Sequence, residues 1–167
     1  MSLGELSVEV GHAERAPAPV RDAIVVFESE KLIDDEIFSA AVLAKALLAL
    51  GRAEDAEKEL ARTSTLMNKS HYRNITFKMQ IIAAQVRAAL GKTSEASVNL
   101  QATLNEAMNH GFLGQQLDAR LALGQIEIKS GKTTLGRARL AALEKDAREN
   151  GFLLVAQKAA AAARNQS

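Results

Sequence analysis

Four glycines recur at one interval of forty residues: Gly11, Gly51, Gly91 and Gly131. Five residues after each stands a small side chain, Ala16, Ala56, Ala96 and Gly136, and four further on an aliphatic one, Val20, Leu60, Leu100 and Leu140. A spacing of four places both on one face of a helix that begins just past the glycine. On the other side, Gly4, Ala44, Ala84 and Gly124 lie seven residues before the turn. Apolar residues follow at Leu6, Ala46, Val86 and Ile126, then at Val8, Leu48, Ala88 and Ile128. These belong to a second helix that ends at the glycine, where a left-handed backbone satisfies the last carbonyls. The chain therefore reads as an array of one two-helix unit, stacked so that each copy buries its apolar side on the next.

A second boundary falls midway, at Lys31-Leu32, His71-Tyr72, Gly111-Phe112 and Gly151-Phe152. The register predicts helices over 19–30, 34–50, 53–69, 72–89, 93–109, 112–129, 133–149 and 152–164, each full-length one about 25 Å long. Pro17 and Pro19 set the first of these to start at Ala18 or Pro19, because proline suits a first turn and disrupts an interior one. Asp34 and Ser70 are expected caps. No segment holds the period-two alternation of a half-buried strand. The expected fold class is all-α, a single helical repeat domain over 1–167 with units at about 1–31, 32–71, 72–111 and 112–151 and a capping helix at 152–164.

Leu3-Gly4-Glu5-Leu6 aligns with Leu123-Gly124-Gln125-Ile126, so the chain opens inside a helix. The expectation is a piece of a longer protein, with Met1 and Ser2 as additions. An apolar patch is expected near Leu3, Leu6, Val8 and Val10, covered by self-association into a homo-oligomer.

Composition narrows the function classes. Hydrophobic residues make up 47% of the chain but aromatics only 4%, and small side chains let helices approach closely. Cysteine is absent, which excludes disulfides and thiolate metal sites. A net charge of +1 gives no long-range attraction to nucleic acid or anionic lipid. Neither a membrane-length apolar run nor a signal-peptide pattern is visible, so no membrane partner and a cytoplasmic location are expected.

The reactive motifs dissolve on inspection. Gly91-Lys92-Thr93-Ser94 and Gly131-Lys132-Thr133-Thr134 resemble the end of a phosphate loop, but Val86 and Ile126 stand where its earlier glycine is needed. They read as turns followed by helix starts. His12, His71 and His110 lack a second histidine at helical metal spacing. Asp34-Asp35-Glu36 is an acidic helix start favoured by the helix dipole. Asn68-Lys69-Ser70 and Asn74-Ile75-Thr76 match the glycosylation pattern without a secretory signal. Tyr72, Phe112 and Phe152, at helix junctions, are expected to pack into the core. Neither catalysis nor a cofactor is expected.

The small residue, turn glycine, alanine and large apolar residue at Ala44, Gly51, Ala56 and Leu60 resemble the tetratricopeptide repeat. The same roles fall to Ala84, Gly91, Ala96 and Leu100, then to Gly124, Gly131, Gly136 and Leu140. The period of forty exceeds the family's thirty-four, and Asn68, Met108 and Arg148 stand where its closing proline is usual. Forty-residue versions are similar to arrays in large bacterial regulators. The resemblance implies a right-handed α-α superhelix of antiparallel helix pairs with a concave inner groove.

In that family two positions of the first helix face the groove. They hold Glu5, Lys45, Gln85 and Gln125 six residues before the turn glycine, and Phe38, Lys78 and Asp118 thirteen before it. Seven residues is two helical turns, so both positions share a face. The candidate partner-binding groove is accordingly lined by Lys45, Lys78, Gln85, Asp118 and Gln125. The alternative is that these residues are simply the solvated inner side of a solenoid. The expected function is a non-catalytic scaffold that presents this groove to a peptide or protein. The other reading is a regulatory or oligomerisation arm of a bacterial kinase or transcription regulator.

Overall fold

The computed structural model describes residues 17–164. Among them every regular element is helical. The chain divides into two compact units, Met1–Gly91 and Lys92–Ser167. The first holds α1 (Pro17–Glu30), α2 (Ile33–Ala49), α3 (Ala53–Thr63), a 3-10 turn (Ser64–Lys69) and α4 (Arg73–Ala89). The second holds α5 (Thr93–Asn109), α6 (Leu113–Lys129), α7 (Thr133–Glu149) and α8 (Leu153–Arg164). The expected opening helix and its patch at Leu3, Leu6, Val8 and Val10 lie outside the described residues.

The turn glycines fulfil their predicted role. Gly51, Gly91, Gly111, Gly131 and Gly151 all adopt φ between 73° and 85°, where an L side chain is strained. At Gly51 the Arg52 N–H donates to the Leu47 carbonyl at 2.9 Å and the Gly51 N–H to the Leu48 carbonyl at 3.0 Å. This paired pattern closes the helix end. Lys31 takes the same conformation without a glycine's freedom, at φ 57°.

Such tight turns start the next helix two residues after the glycine, which changes the capping. The residues at the cap positions, Leu32, Arg52, Tyr72, Lys92, Phe112 and Lys132, make no side-chain capping bond. Asp34 is not a cap. It sits in the first turn of α2 and accepts a hydrogen bond from Ser70 Oγ at 2.5 Å. Ser70 Oγ in turn accepts the Tyr72 N–H at 3.2 Å, ahead of α4 instead of inside its first turn. Helix α1 begins at Pro17, slightly before the expected start. Both prolines then fall where the N–H would have no partner within the helix.

In the first unit α2 is central, packed on α1, α3, α4 and the 3-10 turn. Its buried Ile37, Leu43 and Leu47 meet Leu60 of α3 and Met79, Ile82 and Val86 of α4 in one cluster. Each such side chain contributes roughly 1.5–3 kcal/mol when withdrawn from water. In the second unit α6 packs on α5, α7 and α8. Leu117, Leu121 and Ile128 join Leu140, Leu143, Ala147, Ala156 and Ala159 in a core. Arg120 pairs with Asp146 at 2.7 Å and Glu127 with Arg139 at 2.9 Å. One partner's number rises as the other's falls, so α6 and α7 run antiparallel.

Candidate functional site

The sequence ladder divides between the two units, and each part is built on a central helix. In the first unit Phe38 and Lys45 sit on α2, Lys78 and Gln85 on α4. Both helices bury residues on most of their other sides, and the ladder residues are left half-buried. Lys78 Nζ lies 4.5 Å from the centroid of the Phe38 ring. That is within reach of a cation–π attraction, worth about 0.5–1 kcal/mol at a partly exposed site. Phe38 and Lys78 are the same register position one repeat apart. Their contact shows that the ladder faces of α2 and α4 adjoin. Lys45 and Gln85 follow two turns later on the same two faces.

The second unit carries the rest. Asp118 is exposed and Gln125 half-buried, both on α6. Helix α8 lies beside α6 and supplies Lys158, half-buried and forty residues after Asp118. The same interval that found the other ladder positions points to Lys158. It goes unnoticed in the sequence because no turn glycine follows α8 to count back from.

Among the described residues each unit also holds one buried carboxylate. Glu127 of α6 accepts both arms of Arg139 from α7, with Nε and Nη2 each 2.9 Å from an oxygen. Glu36 of α2 is less well served. Its Oε1 lies 3.4 Å from Arg62 Nη1, and Arg62 also pairs with Glu28 of α1 and with Glu59 at 3.7 Å. Burial holds the Glu36 carboxyl above the ordinary carboxylate range. No buried side-chain nitrogen or oxygen among the described residues lacks a hydrogen-bond partner.

The remaining expected features are ordinary surface and turn elements. Helices α5 and α7 start at Thr93 and Thr133, so both Gly-Lys-Thr runs are turns into helices and follow helices, not strands. His71 and His110 are exposed at helix junctions, and His12 lies outside the described residues. Among the described residues no group of three His, Cys, Asp or Glu side chains is placed to hold a metal. No described helix is long and apolar enough to cross a membrane. Phe112 and Phe152 are half-buried, but Tyr72 is 59% exposed and does not join the core. The 3-10 turn before it ends with Ser70 extended, so the chain enters α4 by a different path from the glycine turns.

Comparison with protein-family models, with curated protein sequences and with solved structures gives no match.

Proposed function

We propose that the chain is a non-catalytic interaction scaffold of the tetratricopeptide type, a right-handed α-α superhelix of antiparallel helix pairs. Its partner is a peptide or protein segment docked on the ladder residues Lys45, Lys78, Gln85, Asp118 and Gln125. The observation that carries this reading is the pairing of ladder positions on α2 and α4. There Lys78 stands over Phe38, and Lys45 and Gln85 share the same faces. Polar heads on apolar stems, held at fixed spacing on packed helices, lose little freedom when a ligand arrives. Rigid elements of this kind present side chains from successive repeats to one extended segment.

Selection of peptides from a random library against the full chain tests the proposal. Lys45→Ala combined with Gln85→Ala should weaken the selected peptides about tenfold, while helicity by circular dichroism is unchanged. Lys58→Ala, on the outer side of α3 with a side chain 77% exposed, should leave binding intact. Selected peptides that bind the double variant as well as the parent would remove the ladder from the site.

A further inference from the structure

Helix α1 packs on α2 through few fully buried side chains. It buries only Val20 and Ile24, and its Val25 and Val26 are 65% and 53% exposed. Its polar link to the rest is Glu28, which pairs with Arg62 of α3. Arg62 does not serve Glu28 alone. The buried Glu36 of α2 and Glu59 of α3 share the same guanidinium. Three carboxylates from three helices thus meet one cation, a local excess of two negative charges when all are ionised.

We propose that Arg62 and these three carboxylates form an acid-tightened clasp that sets how firmly α1 is held on the first unit. The physical switch is the proton on Glu36. When Glu36 is ionised it must be neutralised, because an unpaired buried charge is costly, and it draws on Arg62. When Glu36 carries a proton it needs no cation. Arg62 is then left to Glu28, and one of the repelling charges is gone.

The surroundings of Glu36 leave this switch intact. On its own helix Asp34 and Asp35 flank it, adding negative charge, and Asp34 is engaged by Ser70. Helix α1 contributes Glu28, and α3 contributes Glu59 and Arg62. The 3-10 turn carries Lys69 and the start of α4 carries Arg73, both exposed and neither paired with Glu36. Lys78 is stacked over Phe38. Lys45 and Arg87 lie toward the far ends of α2 and α4. The N-terminal dipole of α2 favours the Glu36 anion by about 0.3–1 kcal/mol, yet burial prevails and the carboxyl is held above its ordinary range.

The direction of the effect follows from linkage. A carboxyl whose folded-state pKa is raised binds its proton more tightly in the folded state. Its stabilising contribution is full below the ordinary carboxylate value and is lost as pH rises through the raised one. Glu36 therefore gives up its claim on Arg62 in mild acid, and through the freed Arg62–Glu28 pair helix α1 is held more firmly there than at neutral pH. In strong acid, with every carboxylate neutral, the clasp has no anion to grip.

Hydrogen exchange on the full chain, corrected for intrinsic rates, reads α1 directly. Between about pH 7.5 and about pH 4.5 the protection of residues 20–30 should rise, by about threefold or more. Amides of α7, in the other unit, serve as the internal reference and should not follow. Glu36→Gln should give the high protection at both pH values. Glu28→Gln, which removes the α1 arm on the exposed side, should lower α1 protection and abolish the rise. Protection of α1 that is flat with pH in the parent overturns the proposal. So does a rise of equal size in Glu28→Gln, and so does a persistent rise in Glu36→Gln.

Discussion

The hairpins α2–α3 and α6–α7 occupy the same register two repeats apart and solve one packing problem in two ways. In the first, Ala44 and Ala56 are both fully buried in one core cluster. In the second the same positions are Gly124 and Gly136. A methyl group added at Gly136 would lie 2.6 Å from Ile128 Cγ1, 2.7 Å from the Gly124 carbonyl oxygen and 2.9 Å from the Ile128 nitrogen. The α6–α7 backbones thus approach until no side chain fits between them. The polar ties differ in the same sense. Arg139 holds one buried carboxylate with two parallel bonds, whereas Arg62 is divided among three. Close approach and an undivided ion pair make α6–α7 the tighter clamp. The looser α2–α3 hairpin leaves its cation shared with α1.

The largest expected effect falls on the ion pairs. Arg139→Ala leaves the buried Glu127 without either of its two charged bonds, and should cost the second unit about 3 kcal/mol. Arg62→Ala should cost the first unit only about 1 kcal/mol, since Arg62 is itself 39% exposed, Glu28 remains solvated, and Glu36, met only at 3.4 Å, can take up a proton in place of the cation. Hydrogen exchange resolved by helix separates the two. Equal losses would mean that sharing does not weaken the Arg62 tie, and the contrast between the hairpins would fail.

Next comes the backbone approach. Gly136→Ala gains about 1 kcal/mol of helix propensity but forces a Cβ against backbone atoms that cannot rotate away. Overpacking of about 3 kcal/mol leaves a net loss of about 2 kcal/mol. At the matching position in the other hairpin, Ala56→Gly should lose about 1 kcal/mol from propensity and about 0.8 kcal/mol from the buried methyl. Denaturant melts that place Gly136→Ala above the parent in stability would show that the glycines are incidental.

Much of this fold could be read before any coordinates. Glycines at forty-residue intervals located five of the eight described helix ends, because the left-handed turn leaves few alternatives to that residue. The capping expectations failed at the two junctions without a glycine. After Lys31 the chain re-enters a helix within two residues, so Asp34 arrives too late to cap, and Ser70 lies ahead of α4 at the end of the 3-10 turn. The ladder at Lys45, Lys78, Gln85, Asp118 and Gln125 is what the tetratricopeptide resemblance implies, and the forty-residue register extends it to Lys158. What register cannot supply is contact between repeats. The Phe38–Lys78 stack and the convergence of Glu28 and Glu36 on Arg62 join residues far apart in sequence whose meeting depends on how helices rotate. Tyr72 shows the same limit, since a break upstream of it changed its surroundings.

That break supplies the smallest effect and the sharpest local comparison. Helices α5 and α7 run unbroken for 17 residues, but α3 stops at Thr63 and continues as a 3-10 turn to Lys69. Thr63 and Ser64 return hydrogen bonds to carbonyls of their own helix, as Ser64 Oγ does to Ala61 at 2.7 Å. Such bonds bend helices without ending them, and Thr103 makes the same bond inside the intact α5. A steric cause is stronger. Met67 stands in the register of Ala107 and Ala147, which are fully buried in α5 and α7. An α-helical path would carry the methionine into a space sized for a methyl group. The 3-10 path turns it aside, to a half-buried seat on the core edge. Phe27 fills the same register in α1 and stays half-buried, but α1 packs on α2, whereas α3 is pressed by both α2 and α4. Met67→Ala should therefore let α3 run on through Ser64–Lys69, with a gain in helical signal and Cα chemical shifts to match. Lost packing and improved propensity nearly offset each other, so stability should move by only about 0.5 kcal/mol. A 3-10 turn that survives Met67→Ala but yields to Ser64→Ala would place the cause in the hydroxyl groups instead.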